Sequence, residues 1–217
     1  MADRYTSTGV FLALEGGEGG GKTTQARLLT DWLAGLGHDV LLTREPGGTP
    51  VGTELRRIVL DPATGALSPR TEMLVYAADK AEHVDAVVRP ALDAGRVVLT
   101  DRYVDSTIAY QGAGRALDPA DVEQVARWAT AGLRPHLTIV LDVDPRLGLS
   151  RAGAPDRIEA EPLEFHERVR AHFLALAGRD PEHYLVVSAD DDPQAIHAAI
   201  RRAVEPLLAQ AVAGARR

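Results

Sequence analysis

The chain has 217 residues, 45% of them apolar and 25% charged, which is enough for one domain with a sizeable core over residues 1–217. A net charge of −7 argues against nucleic acid as a partner, and the lack of cysteine excludes disulfides, thiolate nucleophiles and cysteine metal sites. Neither a signal peptide nor an apolar run of membrane-spanning length is recognisable, so we expect a cytoplasmic protein without membrane contact.

The first half of the chain predicts strands that alternate with helices. Short apolar runs predict strands over residues 10–15, 40–43 and 96–101. Apolar residues at helical spacing predict helices over residues 22–37, 50–60 and 67–95. The last of these should bend or break near Pro90, because proline cannot donate a helical hydrogen bond.

The second half continues the alternation. A helix over residues 118–132 is opened by Asp118, with Pro119 at its first position. Further strands are predicted over 137–143 and 184–188, and a charged segment over 150–178 leads into another helix. The closing helix presents one apolar face, formed by Ile196, Ile200, Ala203 and Leu207. The whole pattern predicts an α/β domain whose five-stranded parallel sheet has helices on both faces.

Five of the six residues from Gly16 to Gly21 are glycines, and they stand between a predicted strand and a predicted helix. Together with Lys22 and Thr23 they form the pattern G-x-x-x-x-G-K-T, which is typical of a phosphate-binding loop. Glycines let backbone N–H groups close around a phosphate, and the helix directs its positive end at the same anion. Lys22 would contact the outer phosphates, and the Thr23 hydroxyl suits Mg²⁺. The alternative is a glycine-rich turn that matches by accident.

The strand ends carry the other candidate groups. In an open α/β sheet, ligands bind beyond the carboxyl ends of the strands. Asp101 ends the third strand, where phosphate-loop enzymes keep the carboxylate that holds Mg²⁺ through water, and Arg102 follows beside a possible second phosphate. A plain surface ion pair is the alternative for these two residues.

Several further arginines favour transfer between two polyanions over simple hydrolysis. Arg44, Arg56 and Arg102 could neutralise the repulsion between two phosphates. Arg151 and Arg157 lie on a Gly/Pro-containing segment, about residues 148–162, that could act as a lid excluding water. The alternative for these two is a solvated approach to the next helix.

At this point the chain resembles the thymidylate kinases over nearly its whole length. The matching segments are EGGEGGGKTTQ, TREPGGT, TEMLVYAADKAEHV, DRYVDSTIAYQG, LDVDP, DRIE and FHERVRAHF. The resemblance implies a P-loop fold and transfer of the ATP γ-phosphoryl group to dTMP, giving dTDP and ADP. It also implies Mg²⁺ as cofactor and a homodimer.

The resemblance also implies roles for individual residues. Lys22, Asp101 and a lid arginine would serve catalysis, with Thr23 and Asp101 on the metal. ATP would contact Gly16, Gly17, Glu18, Gly19, Gly20, Gly21, Lys22, Thr23 and Thr24. dTMP would contact Arg102 and Arg56 through its phosphate, Tyr76 through stacking, Thr107, Gln111 and Lys80 at the base, and Tyr110 and Glu45 near the sugar.

Two departures from the family pattern bear on function. Lys80 stands where the family usually has an arginine that bonds the thymine carbonyl, and lysine lacks the planar fork of donors. The loop is neutral after Glu18, as in family members that carry the catalytic arginine in the lid. Arg151 is then the first candidate for that role and Arg157 the second.

Two other functions stay open at this level. A P-loop kinase for a different nucleoside monophosphate would share most of these features. A nucleotide-hydrolysing switch protein would turn over ATP or GTP without an acceptor, and it leaves the second set of arginines unexplained.

Overall fold

A computed structural model describes residues 5–6, 8–115, 117–151 and 155–214, with side chains described up to residue 209. Its sheet is parallel, with strand order β2-β3-β1-β4-β5. The strands are β1 Val10–Gly16, β2 Val40–Arg44, β3 Val97–Asp101, β4 Leu137–Asp142 and β5 Tyr184–Ser188. The predicted five-stranded parallel sheet is therefore confirmed.

The helices surround this sheet. They are α1 Lys22–Gly35, α2 Pro50–Leu60, α3 Pro69–His83, α4 Arg89–Asp93, α5 Val104–Thr107, α6 Pro119–Ala129, α7 Pro145–Arg151, α8 Leu163–Arg179 and α9 Pro193–Gly214. Wider π-type turns occupy Val84–Val88 and Ile108–Gly114. The first of them interrupts the long predicted helix just before Pro90, as expected for a residue that cannot donate to the preceding turn.

Helix starts follow the chemistry of the sequence. Asp118 accepts from the N–H of Ala120, with Pro119 at the first helical position, and Thr49 accepts from Gly52 at the start of α2. Such caps satisfy N–H groups that no helical carbonyl can reach, and each stabilises its helix by about 1 kcal/mol.

The central strand β1 packs on both of its faces. Leu12 and Leu14 lie in a core cluster with residues of α1 and α9, whereas Phe11 and Ala13 face a second cluster on the opposite side. Every residue of β1 is buried. Burial on both faces explains why this strand reads as a continuous apolar run rather than an alternating one.

Strand register brings the candidate residues to one edge. Asp101 at the end of β3 pairs with Leu14 on one side and Arg44 on the other, while Gly16 pairs with Leu141. The strand order reverses at β1, so the segment after β1 opens into the crevice where ligands bind in doubly wound sheets.

Candidate active site

A cavity of about 370 Å³ opens at this edge of the sheet. Its walls come from the glycine loop, the segment after β2, helices α2 and α3, and the segment after β3. It is lined by loop residues from Glu18 to Thr24, by Asp101 and by all eight residues expected to contact dTMP: Glu45, Arg56, Tyr76, Lys80, Arg102, Thr107, Tyr110 and Gln111. Residues that lie far apart in the sequence thus meet around one space.

The glycine loop leads directly into α1. Gly21 adopts a left-handed conformation (φ 81°) and no side chain caps the helix, so the first N–H groups of α1 are left for a ligand. Lys22 is buried, and its Nζ donates to the carbonyl oxygens of Gly16 at 3.2 Å and Gly17 at 2.6 Å. Burial lowers the pKa of Lys22, and Arg102 adds to the effect, whereas Glu18 opposes it. The loop therefore has an anion-binding geometry, with its lysine held by the loop's own carbonyls.

Gly19 packs against Gly148 of α7 at backbone distance. A β-carbon on Gly19 would lie 2.2 Å from the Gly148 carbonyl oxygen, and one on Gly148 would lie 2.2 Å from the Glu18 carbonyl oxygen. Both distances are too short for any side chain. Helix α7, the first helix of the lid region, thus packs directly against the phosphate-binding loop.

Arg102 is paired with a carboxylate of the loop. Its Nη2 donates to Glu18 Oε1 at 2.6 Å, and its Nη1 donates to the Gly16 carbonyl at 3.1 Å and to Ser106 Oγ at 3.0 Å. The Tyr110 hydroxyl also donates to Glu18 Oε1, at 2.7 Å. Burial alone would raise the pKa of Glu18, but Arg102 and Lys22 outweigh it and lower the pKa to about 2. Glu18 is therefore an ionised partner of Arg102.

Arg56 and Tyr76 form a second wall. Arg56 Nη1 donates to the Pro46 carbonyl at 3.0 Å. Burial lowers the pKa of Arg56, and the nearby Arg44 guanidinium adds to this effect. Tyr76 is half-buried, and desolvation followed by the charge of Glu72 raises its pKa far above the usual range. The ring consequently remains neutral and offers a flat face to a ligand.

Lys80 is held in a buried charged cluster. Its Nζ donates to Glu45 Oε2 at 2.6 Å, and Glu45 Oε1 lies 2.7 Å from His83 Nδ1. His83 Nε2 is in turn 2.7 Å from Thr43 Oγ1. Burial opposes ionisation of Glu45, but Lys80 and His83 outweigh it and lower its pKa. Sequence reasoning missed His83, although its position three residues after Lys80 places both on one face of α3.

Thr107 carries an unsatisfied group at the cavity wall. Its Oγ1 is buried and has no hydrogen-bond partner among the described residues, whereas Gln111 Nε2 donates to Glu72 Oε1 at 2.9 Å. A buried hydroxyl without a partner is uncommon and costs free energy. Thr107 lines the cavity as a residue, but its hydroxyl oxygen is not exposed to it.

The two lid arginines have different surroundings. Arg157 forms an ion pair with the fully buried Glu72 and donates from Nε to the Val59 carbonyl at 2.7 Å. Arg151 is 42% exposed, and its Nη1 lies 3.4 Å from the Gly19 carbonyl. Neither residue lines the cavity, although Asp156 and Ile158 beside Arg157 do.

Glu72 is the other residue that sequence reasoning missed. It binds Arg115, Arg157 and Gln111, and Arg115 is also paired with Glu161. Burial opposes ionisation of Glu72, but the hydrogen bonds from Arg115, Gln111 and Arg157 outweigh it and lower its pKa. No local pattern marks this residue, because its three partners come from distant segments.

The described residues also bear on metal binding and on membranes. The Thr23 hydroxyl and the Asp101 carboxylate both line the cavity, and hard oxygen donors of this kind fit Mg²⁺. Within the described part of the chain, no group of three or more His, Cys, Asp or Glu side chains could hold a metal alone. Such a sparse site fits Mg²⁺, which commonly uses one or two carboxylates plus substrate phosphates. Among the described helices, none combines the length and apolarity needed to cross a membrane.

Comparisons with known proteins identify the family of the chain. Residues 14–200 match the family model described as thymidylate kinase. A thymidylate kinase of Cutibacterium acnes is 57% identical over 92% of this chain and 98% of its own, and one of Deinococcus radiodurans is 50% identical over 91% and 97%. A crystal structure of thymidylate kinase from Ehrlichia chaffeensis superposes with a TM-score of 0.76 at 30% identity, covering 90% of this chain and 98% of that one. The chain therefore belongs to the thymidylate kinase family and is a phosphotransferase with the P-loop fold.

Proposed function

We propose that this cavity holds ATP and dTMP end to end and transfers the γ-phosphoryl group of ATP to dTMP. The observation that carries the proposal is the single cavity shared by the glycine loop and all eight expected dTMP contacts. Transfer between two bound phosphates needs both partners held in line, which one continuous space allows.

The donor phosphates lie against the glycine loop. N–H groups at the start of α1 and the Lys22 ammonium face the phosphates, and Lys22 exchanges its carbonyl partners for phosphate oxygens. Phosphate oxygens are charged and carbonyl oxygens are neutral, so this exchange is favourable. Thr23 and Asp101 would hold Mg²⁺, which neutralises charge on the phosphates when bound.

The acceptor phosphate lies between Arg102 and Arg56. Both guanidinium groups line the cavity and can donate to phosphate oxygens. Arg102 then shares its donors between Glu18 and the phosphate. An oxygen of the dTMP phosphate attacks the γ-phosphorus as the bond to the ADP oxygen breaks, and no strong base is needed because the phosphate is already ionised.

The base lies against Tyr76 and is read by Thr107, Gln111 and Lys80. All four residues line the same cavity, which supports this placement. Lys80 is a donor only, so it favours a base carbonyl over an amino group. Tyr110 and Glu45 also line the cavity and would lie near the sugar.

Arg151 is the better candidate for the catalytic lid arginine. Its guanidinium lies beside the loop carbonyl of Gly19 and forms an exposed ion pair with Asp190 at 3.8 Å, whereas Arg157 is committed to the buried Glu72. A small movement of α7 brings Arg151 toward the γ-phosphate, while Arg157 would first have to break a buried ion pair.

Steady-state assays with ATP and a panel of acceptors test the function. We expect dTMP to give by far the highest kcat/KM among dTMP, dUMP, dCMP, AMP and GMP, with one ADP formed per dTDP. A higher value for another monophosphate would assign the chain to a different acceptor. ATP turnover of equal rate without any acceptor would indicate a switch protein instead.

We also propose that the chain forms a homodimer through α3 and α6. Leu74 and Trp128 are 56% and 73% exposed on these neighbouring helices, and large apolar side chains at such exposure favour a partner surface. Sedimentation of Trp128→Glu should show a monomer and that of Leu36→Glu, an exposed leucine at the end of α1, a dimer. Dimers in both variants would contradict this surface.

A further inference from the structure

Glu15 does not line the cavity, yet it organises a segment that does. It is fully buried near the end of β1. Its Oε1 accepts the backbone N–H groups of Tyr103 and Ser106 at 2.8 and 3.1 Å, and its Oε2 accepts the Ser106 hydroxyl at 2.5 Å. Three donors from the turn after β3 thus converge on one carboxylate.

This turn holds Arg102 in an unfavourable backbone conformation. Its φ is 70°, in the left-handed region, which costs a non-glycine residue about 1 kcal/mol or more. The N–H of Arg102 donates to the Leu14 carbonyl at 2.8 Å, and the next N–H, that of Tyr103, donates to Glu15. Strand β1 therefore fixes the peptide groups on both sides of the strained residue.

The Ser106 hydroxyl connects Glu15 to the Arg102 guanidinium. An ionised carboxylate can only accept a hydrogen bond and a guanidinium can only donate one. The single hydroxyl proton therefore goes to Glu15 Oε2, and a lone pair of Oγ faces Arg102 Nη1 at 3.0 Å. The carboxylate also polarises the hydroxyl, which makes it a stronger acceptor.

We propose that Glu15 is a positioning residue for the acceptor phosphate. Through Ser106 it directs the Arg102 guanidinium into the cavity, and through the Tyr103 N–H it keeps the Arg102 backbone in place. The inference rests on the proposed function, because it takes Arg102 as the arginine that binds the dTMP phosphate.

The ionisation of Glu15 sets the conditions of the test. Burial, and then the charge of Asp105, raise the pKa of Glu15 to about 7, although Arg102 and Ser106 oppose the shift. Measurements at about pH 8 keep most of the carboxylate ionised.

The experiment compares Glu15→Gln, Ser106→Ala and the double variant. Glutamine keeps the size of Glu15 and accepts the two backbone N–H groups, but its amide donates to Ser106 Oγ instead of accepting from it. Calorimetry should show about tenfold weaker dTMP binding in each single variant, corresponding to one charge-assisted hydrogen bond. The KM for ATP should change less than about twofold, because the proposed ATP contacts do not depend on the connection from Glu15 through Ser106 to Arg102.

The double variant and two controls distinguish the possible outcomes. If Glu15 acts through Ser106, Glu15→Gln should add little to Ser106→Ala. The proposed connection from Glu15 through Ser106 to Arg102 would be wrong if the two losses of dTMP affinity added fully in the double variant. It would also be wrong if Ser106→Ala bound dTMP normally, and this result is informative even if Glu15→Gln does not fold. The exposed Glu205→Gln is the matched control and should bind normally. Unchanged dTMP binding in Arg102→Ala would instead refute the assigned phosphate site, which separates the two proposals.

Discussion

The two ends of the cavity are built in different ways. The proposed donor end is one continuous segment, which lines the cavity with its backbone and the start of α1. The proposed acceptor end gathers side chains from several elements, most of them engaged with other side chains: Arg102 with Glu18, Lys80 with Glu45, and Gln111 with Glu72. A donor that is recognised through its phosphates can be bound by backbone N–H groups, whereas a particular acceptor must be selected by side chains held in fixed positions.

The largest effect should come from the donor end. Lys22→Ala removes the only ammonium of the loop, and we expect kcat to fall by about a thousandfold, at the upper end for loss of a single charged stabiliser. Calorimetry should show dTMP binding largely retained, because the acceptor contacts remain. Near-normal turnover would mean that Lys22 does not stabilise the phosphoryl group during transfer.

Two carboxylates three residues apart should respond to pH in opposite directions. The pKa of Glu18 is lowered to about 2, so the stability that Glu18 contributes to the fold is present above about pH 4.5 and is lost as the pH falls through about 2. The pKa of Glu15 is raised to about 7, so the stability it contributes is present below about pH 4.5 and is lost as the pH rises through about 7.

Urea unfolding between pH 2 and 8 measures both contributions. Glu18→Gln should remove at most about 3 kcal/mol of acid-dependent stability, and Glu15→Gln should flatten the curve between about pH 4.5 and 7. If the stability of Glu18→Gln fell between about pH 4.5 and 2 as steeply as that of the wild type, the ion pair with Arg102 would not stabilise the fold.

Removal of each lid arginine should change a different property of the enzyme. Arg151→Ala should lower kcat about tenfold or more with little change in KM, because its charge acts on the transition state. Arg157→Ala should instead lower the free energy of unfolding by about 2 kcal/mol, since Glu72 keeps Arg115 but loses one partner. Single-turnover kinetics and thermal unfolding separate the two; a kinetic loss confined to Arg157→Ala would reverse the assignment.

The smallest effect concerns the base. The guanidinium of Lys80→Arg has several N–H donors in one plane, so it can donate to Glu45 and to a base carbonyl at the same time. The preference for dTMP over dCMP should therefore rise about threefold. Competition assays with both acceptors measure the ratio of kcat/KM. A ratio that falls, or does not change, would mean that position 80 acts only on Glu45.

The difference between the two ends also decides what the sequence could predict. The strands, the starts of α1, α2 and α6, and the glycine loop between β1 and α1 were correctly predicted, because apolar runs, Asp118-Pro119 and the glycine pattern act locally. The roles of Glu72 and His83 could not be, since each depends on partners brought together by folding. The eight acceptor residues were found through resemblance rather than from spacing, and their individual roles stay predictions.

The contact between Gly19 and Gly148 has a consequence for evolution and for engineering. The phosphate-loop pattern itself requires glycine only at its two ends, yet position 19 cannot accept a side chain while α7 rests on it. A substitution at position 19 that the motif allows would therefore push α7, which carries Arg151, away from the phosphate-binding loop. Sequence variation at positions 19 and 148 should accordingly be restricted together, as a pair, rather than separately.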